Sequence, residues 1–280
     1  METIDCYNCE SKNHSFYAEE NGFSLVKCES CGLLYIKSRP ESSLISQAHK
    51  QGKHSTGDKV LDVAARFNRS KITQYMKVLD DLFSGDITGI KTWLDIGCGH
   101  GEFIIAVNKY SSDRINIKGT EPCERKQESA RKRGLNVNFF DIDTHRDKYD
   151  IISLLNVYSH LTSPPAFLDS LKKLLSPGGE LILQTGDTAY LAAEDHIRPF
   201  YLPDHLSFAS EKIVVGLLKS KDFEIIGIKK YPFMQFTLKN TVKELAKVII
   251  PRYSSRIQYL FKMKNYPPTD MFIRARLKRS

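Results

Sequence analysis

Two periodicities alternate along this chain, and the switches between them mark its elements. From residue 90 onward, short apolar runs suited to strands trade places with stretches that are apolar at every third or fourth position, suited to helices. The runs fall at about 91–96, 115–120, 137–140, 149–155 and 180–185, and the helical stretches at about 101–110, 123–133 and 165–175. Gly134 stops the second helix, and Pro164-Pro165 opens the third in its first turn, where proline is tolerated. Strand–helix alternation of this kind predicts a parallel sheet with crossover helices. Pro177-Gly178-Gly179 turns the chain into the strand at 180–185; a helix at about 210–220, a strand at about 223–230 and a closing strand at 271–277 follow.

Before this block, Val60, Val63, Ala64, Phe67, Ile72, Tyr75, Val78, Leu79, Leu82 and Phe83 recur at helical spacing and predict one long helix, or two, over about 58–84. Residues 41–57 are polar and read as a linker or lid, and 186–209 read as irregular. Late in the chain, Leu238, Val242, Leu245, Val248 and Ile249 form a stripe opposite Lys239, Lys243 and Lys247: a basic amphipathic helix ended by Pro251, with a second such segment at about 252–263. The resulting division is 1–40, 41–85 and 86–280. No apolar run approaches the roughly 20 residues of a membrane span, and the first residues lack a secretory pattern, so a cytoplasmic protein is expected.

Cysteine spacing adds a feature that hydropathy misses. Cys6 and Cys9 form one C-x-x-C, and Cys28 and Cys31 form a second after an eighteen-residue spacer. Without a secretory pattern, two such knuckles predict a tetrahedral four-thiolate Zn²⁺ site. Gly32 permits the turn behind the second pair, and Phe16-Tyr17 and Phe23–Val26 predict short strands between the pairs, so residues 1–40 read as a small zinc ribbon. Four ligands close the coordination sphere, which makes that zinc structural.

The net charge of +8 is unevenly placed. Residues 229–280 hold thirteen Lys and Arg against Glu244 and Asp270, leaving the first 228 residues net acidic. The basic end suits contact with an anionic neighbour: a membrane surface, a nucleic acid or a phosphorylated ligand.

Thr92–Phe103 holds the chemistry. An apolar strand ends in Asp95, and glycine then recurs at 97, 99 and 101 before a helix begins. That spacing is neither G-x-G-x-x-G nor a phosphate loop. An acid at the turn would repel a pyrophosphate and attract an ammonium. Glu121 ends the next strand, placed for ribose hydroxyls, and Asp141 ends the one after, placed for an adenine amine. An adenosine that carries an amino acid and no phosphate is S-adenosylmethionine. Three blocks, 93–101, 149–160 and 174–181, together resemble the class I S-adenosylmethionine-dependent methyltransferases. The resemblance implies a Rossmann-like, seven-stranded α/β fold. It implies that Asp95, Gly97, Gly99 and Gly101 belong to the turn at the methionine end of the cofactor, Glu121 to the ribose, and Asp141 with Ile142 to the adenine, with Asn156 near the sulfonium.

A narrower resemblance is to methyltransferases with an N-terminal four-cysteine zinc domain that act on nucleotide-linked or surface-polysaccharide sugars. It rests on Tyr201–Phe208 and Asp270–Arg276; the further C-terminal domain usual in the deoxysugar C-methyltransferases is not expected here. The implied acceptor is a small-molecule or lipid-linked sugar; oxygen is the expected methylated atom, with carbon and nitrogen as the alternatives. His205 is the first candidate for a general base, with Asp204 as alternative or orienting group and His160 as a further candidate that also suits a packing role. Asp187 fits turn chemistry as well as catalysis, and His49 and His54 read as solvent-exposed residues of the lid. The alternative is an RNA methyltransferase with a zinc-ribbon recognition module. Against it, residues 1–40 carry four basic residues and six acids, a poor nucleic-acid grip.

Overall fold

The computed structural model describes residues 1–56, 59–64, 66–232 and 266–278. The N-terminal part runs β1 (Glu2–Thr3), β2 (His14–Glu20), β3 (Phe23–Cys28), β4 (Leu34–Ile36), β5 (Ser38–Arg39), α1 (Ser42–Gln51), β6 (Lys53–Thr56), β7 (Lys59–Asp62) and α2 (Arg69–Phe83). The remainder runs β8 (Thr92–Ile96), α3 (Glu102–Ser111), β9 (Asn116–Thr120), α4 (Glu124–Arg131), β10 (Val137–Asn138), β11 (Tyr149–Leu155), α5 (Pro164–Lys172), β12 (Leu175–Gly186), β13 (Ser207–Phe208), α6 (Glu211–Ser220), β14 (Phe223–Tyr231) and β15 (Asp270–Leu277).

Seven of these strands form one sheet in the order β10-β9-β8-β11-β12-β15-β14. The pairs from β10 to β12 are parallel, whereas β15 runs antiparallel to both β12 and β14. Successive side chains of a strand face opposite layers. Trp93 and Ile151 accordingly pack with α2 and α3 on one face, and Leu94, Ile152 and Leu154 pack with α5, α6 and the N-terminal strands on the other. The chain leaves β8 toward β9 on one side and returns to β11 on the other, a topological switch whose crevice opens at the carboxyl ends of both strands.

Four expectations change. The polar stretch 41–57 is ordered as α1 and β6, and residues 59–62 pair with β6 as a hairpin instead of opening a helix. Only Arg69–Phe83 is helical there; Asn68 caps it by accepting the Ser70 amide at 3.0 Å. The third strand is shorter than expected, ending at Asn138. The turn at 177–179 lies inside β12, where the pairing with β11 slips between Tyr149 and Ile151. The basic helices expected over 238–263 lie outside the described residues. Among the described residues, no helix is long and apolar enough to cross a membrane.

A second, four-stranded sheet has the order β13-β4-β3-β2. Its fourth strand comes from the stretch 186–209, pairing Ser207 with Tyr35 and Phe208 with Leu34. The join extends beyond that pairing. Leu206 donates to Ser159 O at 2.7 Å and accepts from Ile36 N at 3.0 Å, while the Glu20 carboxylate accepts the amides of Phe200 and Leu202. Leu25, Leu34, Tyr35 and Ile36 are fully buried in a core continuous with that of the large sheet.

Candidate active site

The turn after β8 is shaped by two glycines with no room for a side chain. Gly97 and Gly101 both have positive φ; a Cβ on Gly97 would strike Val157 Cγ2, and one on Gly101 would strike Leu135 Cδ1. Gly99 also has positive φ, but the space about its Cα is open, which leaves its backbone face available to a ligand. Gly97→Ala should weaken cofactor binding roughly tenfold or more, because strain and collision act together. Calorimetry against S-adenosylmethionine would check this; unaltered affinity would mean that the turn tolerates both.

Asp95, Gly97, Gly99, Glu121, Asp141, Ile142, Asn156, His160, Asp204 and His205 all border one cavity of about 720 Å³ at the carboxyl ends of the central strands. Gly101 is set back from it, as the N-cap of α3. Each acid is oriented before any ligand arrives. The Asp95 side chain accepts from Ser153 Oγ at 2.5 Å, and Ser153 Oγ in turn accepts from Trp93 Nε1 at 3.0 Å. Glu121 accepts the Gly99 amide at 2.8 Å and the Cys123 amide at 3.0 Å, tying the glycine turn to the end of β9. Asp141 accepts the Asp143 amide at 2.9 Å, and Asn156, at positive φ, donates to Gln184 Oε1.

Asp95 is 1% exposed. Burial pushes its pKa up to about 7, the nearby charges of Glu121 and Glu102 add to the rise, and the Ser153 hydrogen bond opposes it. Two or three acids confined around a small cavity make this end strongly attractive to a cation.

The opposite end is built around Asp204. His54 Nε2 lies 3.0 Å from Asp204 Oδ1, His160 Nδ1 lies 3.4 Å and His49 Nε2 lies 4.0 Å. His160 Nδ1 also contacts the Asp204 carbonyl at 2.7 Å, and the His160 and His205 rings lie 4.7 Å apart. His205 Nδ1 is 2.9 Å from Phe200 O. A carbonyl only accepts, so Nδ1 carries the proton on both His160 and His205, and neutral His205 has its lone pair on Nε2. Burial, with the charge of His160, lowers the His205 pKa to about 4 despite Asp204. Burial also opposes the proton on His160, but Asp204 outweighs it and raises that pKa. Burial works against the Asp204 charge as well, yet hydrogen bonding and charge from His160, with His54 close by and the charge of His205 adding, hold it well below the usual carboxylate range.

His54 is 3% exposed and His49 lines the cavity, so the reading of both as solvent-exposed lid residues is corrected. Gly52 ends α1 at positive φ and turns β6 back, which brings both rings onto Asp204. Their spacing in the sequence, H-x-x-x-x-H around a glycine, was a readable signal. Asp187 has a structural role: it accepts the Glu211 amide at the start of α6 and pairs with Lys230 at 2.7 Å.

The four knuckle thiols also converge. Cys6 and Cys31 sulfurs lie 3.5 Å apart, as do those of Cys9 and Cys28, and all four lie within 4.8 Å of one another. A tetrahedral ion with bonds of about 2.3 Å holds sulfurs a little under 4 Å apart, so the residues fit zinc. Beside Cys6, Tyr7 Oη lies 3.1 Å from Ser207 Oγ and 3.4 Å from Tyr158 Oη, which connects the knuckle to the neighbours of His205 and His160.

A family described as "Methyltransferase domain" matches residues 48–227, beginning after the cysteine-bearing sheet. The ubiquinone biosynthesis O-methyltransferase of Photorhabdus laumondii is 28% identical over 109 residues, covering 36% of this chain and 45% of that protein. Its counterpart in Psychrobacter arcticus is 29% identical over 104 residues, covering 34% and 40%. This chain thus spans less than half the length of these relatives. Among solved structures, a SAM-dependent methyltransferase from Archaeoglobus fulgidus superposes with TM-score 0.53 at 18% identity, covering 75% of this chain and 94% of that one. The cyclase SpnF superposes with TM-score 0.52 at 18% identity, covering 77% and 84%. With the family match spanning most of the sequence and the acid-lined glycine turn at its centre, the chain belongs to the methyltransferase domain family.

Proposed function

We propose that this protein is an S-adenosylmethionine-dependent methyltransferase acting on a hydroxyl of a sugar or glycan intermediate. The observation that carries the reading is one cavity with an acidic end at Asp95 and Glu121 and a histidine-rich end at His160 and His205. The cofactor supplies a methyl group activated by a sulfonium. Asp95 would attract its positively charged methionine end, Glu121 would accept from the ribose hydroxyls, and Asp141 with Ile142 would meet the adenine. Asn156 borders the same space and would lie near the sulfonium.

At the acceptor end, His205 is the general base. Its Nδ1–H is held by the Phe200 carbonyl, which leaves Nε2 to take the hydroxyl proton as the oxygen attacks. Asp204 is a positioning residue that fixes His160 and His54. Methyl transfer is an in-line displacement, so aligning the acceptor is the larger part of the work. Lys50, Arg66, Lys71 and Lys126 border the cavity and suit an acceptor carrying phosphate, as nucleotide-linked and lipid-linked sugars do. The N-terminal sheet, with zinc on Cys6, Cys9, Cys28 and Cys31, braces the loop that carries Asp204 and His205.

The test follows the methyl group itself, because a cyclase shares this fold. Purified protein with radiolabelled S-adenosylmethionine is offered nucleotide-diphosphate sugars, polyprenyl-phosphate-linked sugars and RNA. Label in a sugar fraction is expected, and Asp95→Ala and Glu121→Ala should each weaken cofactor binding. Label only in RNA would replace the acceptor assignment, and unchanged binding in both variants would remove the cofactor assignment.

A further inference from the structure

Two imidazoles, His54 buried and His49 partly so, point at one carboxylate oxygen without the alignment of a hydrogen bond. His54 Nε2 stands 3.0 Å and His49 Nε2 4.0 Å from Asp204 Oδ1, and the ligand atoms of the three residues all lie within 4.8 Å of one another. Both Nε2 atoms are shielded from solvent, and neither makes a hydrogen bond. Proximity without donor alignment is a poor hydrogen-bonding arrangement but a natural one for ligands arranged about a common centre.

The distances suit such a centre. Metal bonds of about 2.0–2.2 Å to imidazole nitrogen and carboxylate oxygen place neighbouring ligand atoms roughly 3 Å apart. The His54–Asp204 pair already has that separation, and His49 reaches it by a small inward movement. The carrying elements are fixed. Gly52 donates to His49 O at 3.2 Å and accepts from Val63 N at 3.0 Å, which ties down the turn between the histidines. Asp204 is anchored through its amide to Tyr201 O at 2.8 Å and through its carbonyl to His160 Nδ1 at 2.7 Å.

We infer that His49, His54 and Asp204 bind a divalent first-row transition-metal ion, distinct from the one suited to the four cysteines. Two imidazoles and a carboxylate favour zinc, iron, cobalt, nickel or manganese over calcium or magnesium, and leave positions open for other ligands. Because His49 and Asp204 border the cavity together with His160 and His205, an ion held there would have its open positions next to the space where an acceptor hydroxyl would lie. Ion binding stands on the three side chains alone. Its use in holding an acceptor oxygen rests on the methyl-transfer reading.

Full-length protein produced with cobalt is dialysed, titrated further with Co²⁺, and measured for metal content and visible absorption. Two equivalents are expected, one with strong thiolate-to-cobalt absorption and one with only weak bands. His54→Ala and His49→Ala should each lose the second equivalent and retain the thiolate absorption. Wild-type protein that saturates at one equivalent showing thiolate absorption overturns the inference without recourse to any variant. Retention of both equivalents in His54→Ala and His49→Ala also overturns it. Conversely, a protein that binds the His54-dependent ion but moves no methyl group counts against the proposed reaction and leaves the ion site standing.

Discussion

His205→Ala is expected to lower methyl transfer by roughly two to four orders of magnitude while leaving S-adenosylmethionine affinity within about twofold. The division follows from where the residue sits. His205 borders the cavity beside His160 and Asp204, and the groups that orient Asp95, Glu121 and Asn156, namely Ser153, Gly99 and Gln184, belong to other elements. His205 Nδ1 donates to the Phe200 carbonyl, a neutral group, so removing the ring does not strip an ion-pair partner from it. The decisive comparison is kcat against cofactor Kd in the same preparation. Equal losses in turnover, cofactor affinity and melting temperature would assign His205 to holding the loop instead of to proton transfer.

Cofactor affinity should rise with pH until Asp95 is ionised and then level off. In the free protein burial holds the Asp95 pKa near 7, well above its ordinary 3.8. A folded-state pKa that is raised means the folded protein binds the proton more tightly than the unfolded chain. The free protein is therefore stabilised by that proton at low pH and loses the contribution as pH rises from about 4 toward 7. A cationic ligand reverses the preference by favouring the carboxylate, so binding below pH 7 must expel a proton. Affinity should then fall by up to about tenfold for each pH unit below that point. Calorimetry in buffers of different ionisation enthalpy would count the proton, and Asp95→Asn should remove both the proton release and the slope. A flat profile in the unmodified protein would show that Asp95 does not face the cofactor's charge.

What the sequence disclosed depended on how local each feature is. The turn from Asp95 to Gly101 is written in consecutive residues, because a strand end, a ligand-facing backbone and a helix start need particular residues at fixed offsets. Glu121 follows the same logic at the end of β9, whereas Asp141 borders the cavity from three residues beyond β10, which stops at Asn138. The Asp204 cluster was not. Its rings come from α1, β6, the turn after β11 and the loop before β13, and only tertiary packing brings them together. The stretch 41–57 was misread for a related reason: α1 buries only Ile45 fully, so its helical form owes little to an apolar stripe. The hairpin beyond it contains Val60 at a spacing that also matched a helix, and cross-strand pairing prevailed over that pattern.

The strand β13 has a consequence for how the chain is made. Its two residues complete a sheet whose other members all lie before residue 37. Emerging from the ribosome, the cysteine knuckles can gather their thiols early, but Leu34 and Tyr35 wait for a partner about 170 residues downstream. Until Ser207 and Phe208 arrive, the edge of β4 remains unpaired and its apolar side chains lack the surface that covers them. Closing the N-terminal sheet and seating the segment next to His205 thus depend on one pairing, made by residues from opposite parts of the chain.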